Sequence, residues 1–221
     1  CRNSVTVGDG VYKSEDGGKT WANMGLRETR HISRILVNRG DPQIVHVAAM
    51  GTLWSPNKER GVFKTTDGGK NWKKTLFIDE NTGIADLAVD RFDSRILYAA
   101  AYEHRRLPWF YTSGGKGSGL YRSIDGGETW TKLTKDLPEG LIGRIGLDTS
   151  RSASGVVYAA VEAVDGSLFR SEDRGESWKR MCSTEIFNRV ANRPFYYSQI
   201  RIDPAEADLF DDLELAVLVC V

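Results

Sequence analysis

The sequence predicts an all-β chain, a β-propeller built of four-stranded antiparallel blades and present as an open partial ring. Three observations carry that expectation. An octapeptide of pattern Ser/Thr-x-Asp-x-Gly-x-Ser/Thr/Asn-Trp occurs four times, with its aspartates at Asp16, Asp67, Asp125 and Asp173. The intervals of 51, 58 and 48 residues are those of a repeat architecture. Glycine supplies 23 of 221 residues without a collagen period, which implies many tight turns between short strands.

The elements follow in order within each repeat. Before the octapeptide stand a glycine, an apolar residue, an aromatic and a base, as in Gly10-Val11-Tyr12-Lys13, Gly61-Val62-Phe63-Lys64 and Gly119-Leu120-Tyr121-Arg122; the fourth copy is Ser167-Leu168-Phe169-Arg170. After it comes an apolar alternation, Ile32/Ile35/Val37, Ile84/Leu87/Val89 and Ile142/Ile145/Leu147, and a fifth copy begins at Tyr197/Ile200/Ile202. A polar turn such as 38–42 leads to a second strand ending in alanines, at 44–49, 96–101 and 156–160. β-Branched and aromatic residues fill these segments and turn residues bound them. With the second repeat as template, strands a to d cover 32–37, 43–49, 60–66 and 70–77. No segment shows a helical period.

Within the octapeptide the aspartate can accept backbone N–H bonds around the turn, and the glycine supplies positive φ. The tryptophans, Trp21, Trp72, Trp130 and Trp178, are expected to pack on their own blades. The motif is therefore a structural staple on the c–d hairpin. A catalytic or metal role for these aspartates is disfavoured, because identical residues are spread around a ring rather than converging on one point. A calcium loop would need further acidic ligands at spacings the sequence lacks, so no metal and no cofactor is expected.

Composition excludes several classes. Thirty basic residues balance thirty acidic ones, which gives no reason to expect a nucleic-acid partner. No run of 18 apolar residues exists, so no membrane-spanning helix is expected. Cys1, Cys182 and Cys220 are too few and too scattered for a disulfide framework. The chain begins with cysteine and is expected to be a fragment, completed by further blades of a parent protein.

The octapeptide resembles the Asp-box, or bacterial neuraminidase repeat. The run from Gly8 to Trp21, with the segments 47–54, 59–72, 108–115 and 193–200, is similar to the propeller of sortilin-type (VPS10) domains and of related bacterial secreted proteins labelled glycosyl hydrolase. Xyloglucanase-type glycosidases share the Asp-box as a more distant match. The resemblance covers roughly residues 3–204; after Asp203-Pro204 an acidic stretch and an apolar tail, 205–221, diverge from it, with 217–221 still compatible with a strand. The first blade lacks strand a. The resemblance implies an extracellular or periplasmic binding module for a peptide, protein or glycan, with a xyloglucanase-like glycoside hydrolase acting on polysaccharide as the alternative.

Antiparallel order places the a–b and c–d turns on one face and the b–c and d–a connections on the other. Variable loops on a rigid scaffold tend to carry function, and the b–c connection varies most, from 50–60 in one blade to 102–118 in the next. The candidate ligand-binding residues are Trp54, Arg60, His104, Arg105, Arg106, Trp109 and Tyr111, with Phe110 beside them, because aromatics next to cations suit a sugar or a peptide. Strand a should line a central channel, with a polar third position in each copy, Arg34, Asp86, Arg144 and Gln199, of which Arg34 and Arg144 are further ligand-binding candidates. Hydrolysis of a glycosidic bond needs two opposed carboxylates. The candidates are Asp79, Glu80, Asp86 and Glu103, no pair of which is marked as acid and base.

Overall fold

The computed structural model describes residues 6–191, 195, 199–212 and 216–219. The chain is all-β and forms consecutive antiparallel sheets arranged as a partial propeller. The first sheet pairs β1 (Tyr12–Lys13) with β2 (Ala22–Asn23). The second runs in chain order through β3 (Ile32–Val37), β4 (Val45–Ala49), β5 (Gly61–Thr65) and β6 (Lys73–Leu76). The third contains β7 (Thr82–Val89), β8 (Leu97–Arg106), β10 (Gly119–Ser123) and β11 (Thr131–Leu133), with β9 (Tyr111–Ser113) paired to the far end of β8. The fourth holds β12 (Ile145–Thr149), β13 (Val157–Val161), β14 (Ser167–Ser171) and β15 (Lys179–Arg180). In the fifth, β16 (Ile200–Ile202), β17 (Leu209–Asp212) and β18 (Ala216–Val219) pair in sequence. The divergent segment after Pro204 thus contributes strands to that sheet. Cys1, Tyr197 and Cys220 lie outside the described residues.

The core lies between the blades. One cluster joins Ala48, Val62 and Leu76 of the second sheet to Ile84, Leu87 and Ala99 of the third. Another joins Tyr98, Ala100 and Leu120 of the third to Leu147, Val157 and Phe169 of the fourth. The alanines of strand b are buried at 0% exposure in Ala48, Ala49, Ala99 and Ala100, because neighbouring blades close on both faces of that strand and leave no room for larger side chains. Strands a of successive sheets lie side by side around the channel. They are tied by Ser33 Oγ donating to Ile84 O at 2.5 Å and Thr149 Oγ1 donating to Val89 O at 2.7 Å.

The Asp-box closes each c–d hairpin as expected. Asp67 Oδ1 accepts from Asn71 N at 2.9 Å and from Thr65 Oγ1 at 2.7 Å, and the same hydroxyl accepts from Gly69 N at 3.0 Å. Gly68 and Gly69 sit at φ +71° and +95°, where a side chain would be strained. The boxes share a face with the a–b turns, as Gly68 N donating to Gln43 O at 2.9 Å and Gly126 N donating to Arg95 O at 2.8 Å show.

Four expectations need correction. Three of the four box tryptophans reach the preceding blade rather than staying on their own: Trp72 packs with Val11 and Met24, Trp130 with Val62 and Leu76, and Trp178 with Tyr98 and Leu120, whereas Trp21 bonds Gly18 O of its own turn. The indole fills the gap between neighbouring sheets just before strand d begins. A helix, α1 (Thr184–Val190), occupies the connection after β15; its N-cap is Ser183, whose Oγ accepts from Ile186 N at 3.3 Å. Seven residues are too few for a period to show. Half of the expected 102–118 loop is strand, because β8 runs on to Arg106 and β9 pairs with it. Finally, Arg144 is not the register equivalent of Arg34 and Asp86. Those two face Ala48 and Ala100, whereas the residue facing Ala160 is Gly146. β-Bulges near Ser33 and Ala85 insert an extra residue that β12 lacks, and this shifts the apparent alignment.

Candidate functional site

The inner strands and the b–c loops enclose a cavity of about 310 Å³ at the channel. Arg34, Asp86, Arg144 and Gln199 all line it, together with Tyr102 and His104. The channel-facing residues picked from sequence therefore converge, even though Arg144 arrives from a different register.

Asp86 is held by fixed donors. Its Oδ1 accepts from Arg34 Nε at 2.8 Å and from Leu87 N at 2.9 Å, and its Oδ2 accepts from Leu147 N in the next blade at 3.1 Å. Asp148 repeats the arrangement one blade on, accepting from Thr149 N at 2.9 Å and Ile202 N at 2.9 Å. Both carboxylates lace adjacent inner strands together, and the Arg34 guanidinium offsets the charge that Asp86 buries.

The other candidate acids are spread over the loop face. Asp79 caps its own turn, accepting from Asn81 N at 2.7 Å and Thr82 N at 2.9 Å. Glu80 is exposed and 3.9 Å from Lys58. Glu103 accepts from Gly117 N at 3.2 Å under the 115–117 turn, which packs so closely that a Cβ on Gly115 would overlap the carboxylate.

The candidate binding residues divide into two groups. Arg60 is a correction: it is 0% exposed and donates inward to Thr52 O at 2.6 Å, so it pins the 50–60 loop and offers nothing to a ligand. Burial, then the nearby Arg105, pulls its pKa down to about 10. Trp54 is half-buried against Met50, Leu53 and Tyr102. Arg105 donates to Asn81 Oδ1 at 2.7 Å, and Arg106 lies 5.3 Å over the Tyr111 ring. Trp109 is 83% exposed and Phe110 55%, at the tip of the β8–β9 hairpin. His104 is 1% exposed, stacked on Tyr102 at 5.1 Å and edge-on to Tyr111 at 5.3 Å. Neither ring nitrogen makes a hydrogen bond of good geometry, although the Thr112 backbone lies close enough to act on it. Burial, reinforced by the cations Arg60 and Arg106, lowers its pKa to about 4.

The sequence reasoning missed Glu162. Its carboxylate accepts from Arg144 N at 2.8 Å and from Ser113 Oγ at 3.0 Å. Ser113 continues to Tyr102 Oη at 2.8 Å, which meets Tyr111 Oη at 2.9 Å. Burial pushes the Glu162 pKa up, against the donors that lower it. A signal was available, because Met50, Tyr102 and Glu162 each follow directly on the alanine-rich strand b, where the chain turns into the loop face.

Fold and site together define a partial Asp-box propeller with a polar channel and an aromatic loop face. The BNR/Asp-box repeat family matches residues 121–132, and the BNR-Asp box repeat matches 168–181. The chain is 28% identical over 204 residues to xyloglucanase Xgh74A of Acetivibrio thermocellus, covering 77% of this chain and 23% of that protein. It is 29% identical over 131 residues to a probable oligoxyloglucan-reducing end-specific xyloglucanase of Neosartorya fischeri, covering 57% and 14%. Among solved structures, an ancestral GH74 enzyme superposes with a TM-score of 0.68 at 20% identity, over 91% of this chain and 24% of that one. The GH74 xyloglucanase of Xanthomonas campestris gives 0.65 at 16%, over 96% and 32%. The chain thus spans about a quarter of the length of the first of these relatives.

Proposed function

We propose that this chain is a blade segment of a xyloglucanase-like glycoside hydrolase, and that its loop face binds the polysaccharide. The observation that carries this is the pairing of solvent-facing rings, Trp109 and Phe110, with a cavity lined by fixed polar groups. Flat apolar rings stack on the faces of sugar units, while immobile donors and acceptors orient the hydroxyls. The xyloglucanase relatives support this reading over a sortilin-like peptide module.

Glycosidic hydrolysis needs one carboxyl to protonate the leaving oxygen and a second to act as nucleophile or base, ~5–10 Å away. Asp86 already serves Arg34 and two backbone amides. Burial moves the Glu162 pKa upward, the direction a general acid needs, while Arg144 N and Ser113 Oγ act against it. On this reading the opposing carboxylate comes from a blade of the parent protein beyond this segment. A polysaccharide substrate of this class would place the parent's action outside the cell, as the xyloglucanase relatives support.

The test is reducing-sugar release from xyloglucan by the parent protein. Release that falls at least tenfold in Glu162→Gln, with Trp109→Ala raising KM, supports the proposal. Retention of peptides without sugar turnover restores the sortilin-like reading.

A further inference from the structure

The opposite face carries a second constellation, which the hydrolase reading does not use. Each a–b turn opens with a side-chain oxygen that caps it. Asn38 Oδ1 accepts from Gly40 N at 2.8 Å, Asp90 Oδ1 from Phe92 N at 2.7 Å, and Ser150 Oγ from Ser152 N at 3.1 Å. The residue after the cap is arginine in these three turns, Arg39, Arg91 and Arg151, while in the fifth sheet the cap Asp203 is followed by Pro204. Because strands a lie side by side, three residues separated by 52 and 60 positions arrive at one mouth of the channel.

Arg91 and Arg151 line a cavity of about 160 Å³ with Arg34 and Arg201, and Arg39 shares an adjoining cavity with Arg91. Compensation there is thin. Arg34 is committed to Asp86, and Arg201 donates to its neighbour's carbonyl, Ile200 O, at 2.6 Å. Among the described residues Arg39, Arg91, Arg151 and Arg201 form no ion pair. Among the described residues Asp148 is the one carboxylate lining the cavity of about 160 Å³, and its two oxygens already accept from Thr149 N and Ile202 N. Asp90 lies nearest Arg174, at 3.8 Å. Arg91 Nε is buried with no hydrogen-bond partner. Burial and then the neighbouring cations Arg151, Arg39 and Arg34 lower the Arg91 pKa, with Asp148 acting against them.

We infer that the Asp-box mouth of the channel is a binding site for a small divalent oxyanion, of the phosphate or sulfate class, gripped by Arg91 and Arg151 with support from Arg39 and Arg201. Planar guanidinium forks match tetrahedral oxyanions through paired N–H···O bonds. Like charges gathered at a low-dielectric mouth focus the field that draws the anion in. The site uses no residue of the loop face, so it stands or falls independently of the hydrolase reading.

The experiment is a calorimetric titration of inorganic phosphate, and separately of sulfate, into the full chain at ionic strength held constant with sodium chloride. The expected result is saturable binding of both divalent anions, weakened at least tenfold in Arg91→Gln and in Arg151→Gln. Arg27→Gln, on the other side of the fold beside Asp9, should leave it unchanged. Arg151 is exposed, so its variant retains the fold even if Arg91→Gln does not. Heats no larger than those of chloride, or binding indifferent to Arg151→Gln in a folded variant, would overturn the inference. Binding of a monomeric sugar phosphate as tightly as inorganic phosphate would assign the site to an ester-borne group; its exclusion would assign it to the free anion.

Discussion

The Trp72 indole N–H donates to Met24 O of the preceding blade at 2.7 Å, so the aromatic signature of one repeat is completed by the backbone of another. Trp130 reaches back in the same sense, its Nε1 3.4 Å from Thr75 Oγ1. Trp21 has no described blade before it and is 61% exposed. The repeat is therefore a connector between sheets as much as a turn.

Tryptophans in equivalent sequence positions should then have unequal energetic weight. Trp178 is 6% exposed between the third and fourth sheets. Trp178→Ala should cost about 3–5 kcal/mol in a denaturant titration, the range for emptying a core aromatic site. Trp21→Ala should stay within about 0.5 kcal/mol, as for an ordinary surface change. Equal losses would refute the inter-blade role.

Asp86→Asn leaves the Arg34 guanidinium facing a neutral amide that still owes hydrogen bonds to Leu87 N and Leu147 N. The expected loss is about 2–4 kcal/mol, toward the lower end because Arg34 retains 30% side-chain exposure. Asp148→Asn, without the arginine, should cost less. An Asp86→Asn variant as stable as the parent but inactive would instead mark Asp86 as a reacting group.

His104 gives stability a pH dependence of defined sign. In the unfolded chain it titrates near 6.5, and in the fold near 4. The unfolded chain binds the extra proton between those values, so stability is full above 6.5 and falls as pH drops towards 4. The total loss is on the order of 3 kcal/mol. His46, also lowered by burial, adds a slope of the same sign. The share belonging to His104 should vanish in His104→Phe, measured as Tm against pH. The Asp-box acids act in a lower window, since Thr20 and Ser14 hold Asp16 near 2.

Trp109→Ala should leave Tm unchanged, because the ring is 83% exposed. Loss of one stacking platform, worth about 0.5–1.5 kcal/mol, should weaken polysaccharide retention by a factor of ~2–10 in affinity electrophoresis. Unchanged mobility in xyloglucan gels would remove the β8–β9 tip from the binding face.

Much of the candidate site was legible in the residues. Arg34 and Asp86 were located by alternation along strand a, and the aromatic tip by the irregular length of one loop. Arg60 was misassigned because an arginine in a loop that also carries a tryptophan looks the same in sequence whether its guanidinium faces water or the backbone carbonyls of Thr52 and Ser55. Glu162 was overlooked because its partners, Ser113 and Arg144, are 49 and 18 residues away.

The sequence by itself determined the repeat, the strand order within each blade and the two-faced arrangement of turns. Those depend on interactions a few residues long: a side chain capping its own turn, a glycine at positive φ, an alternation of two. Only the tertiary structure decided the gap each tryptophan fills, the bulges that carry Arg34 and Asp86 out of step with Arg144, and the gathering of Arg39, Arg91 and Arg151 at one mouth. Those depend on the stagger between neighbouring blades, which packing across the inner strands sets and no local pattern encodes.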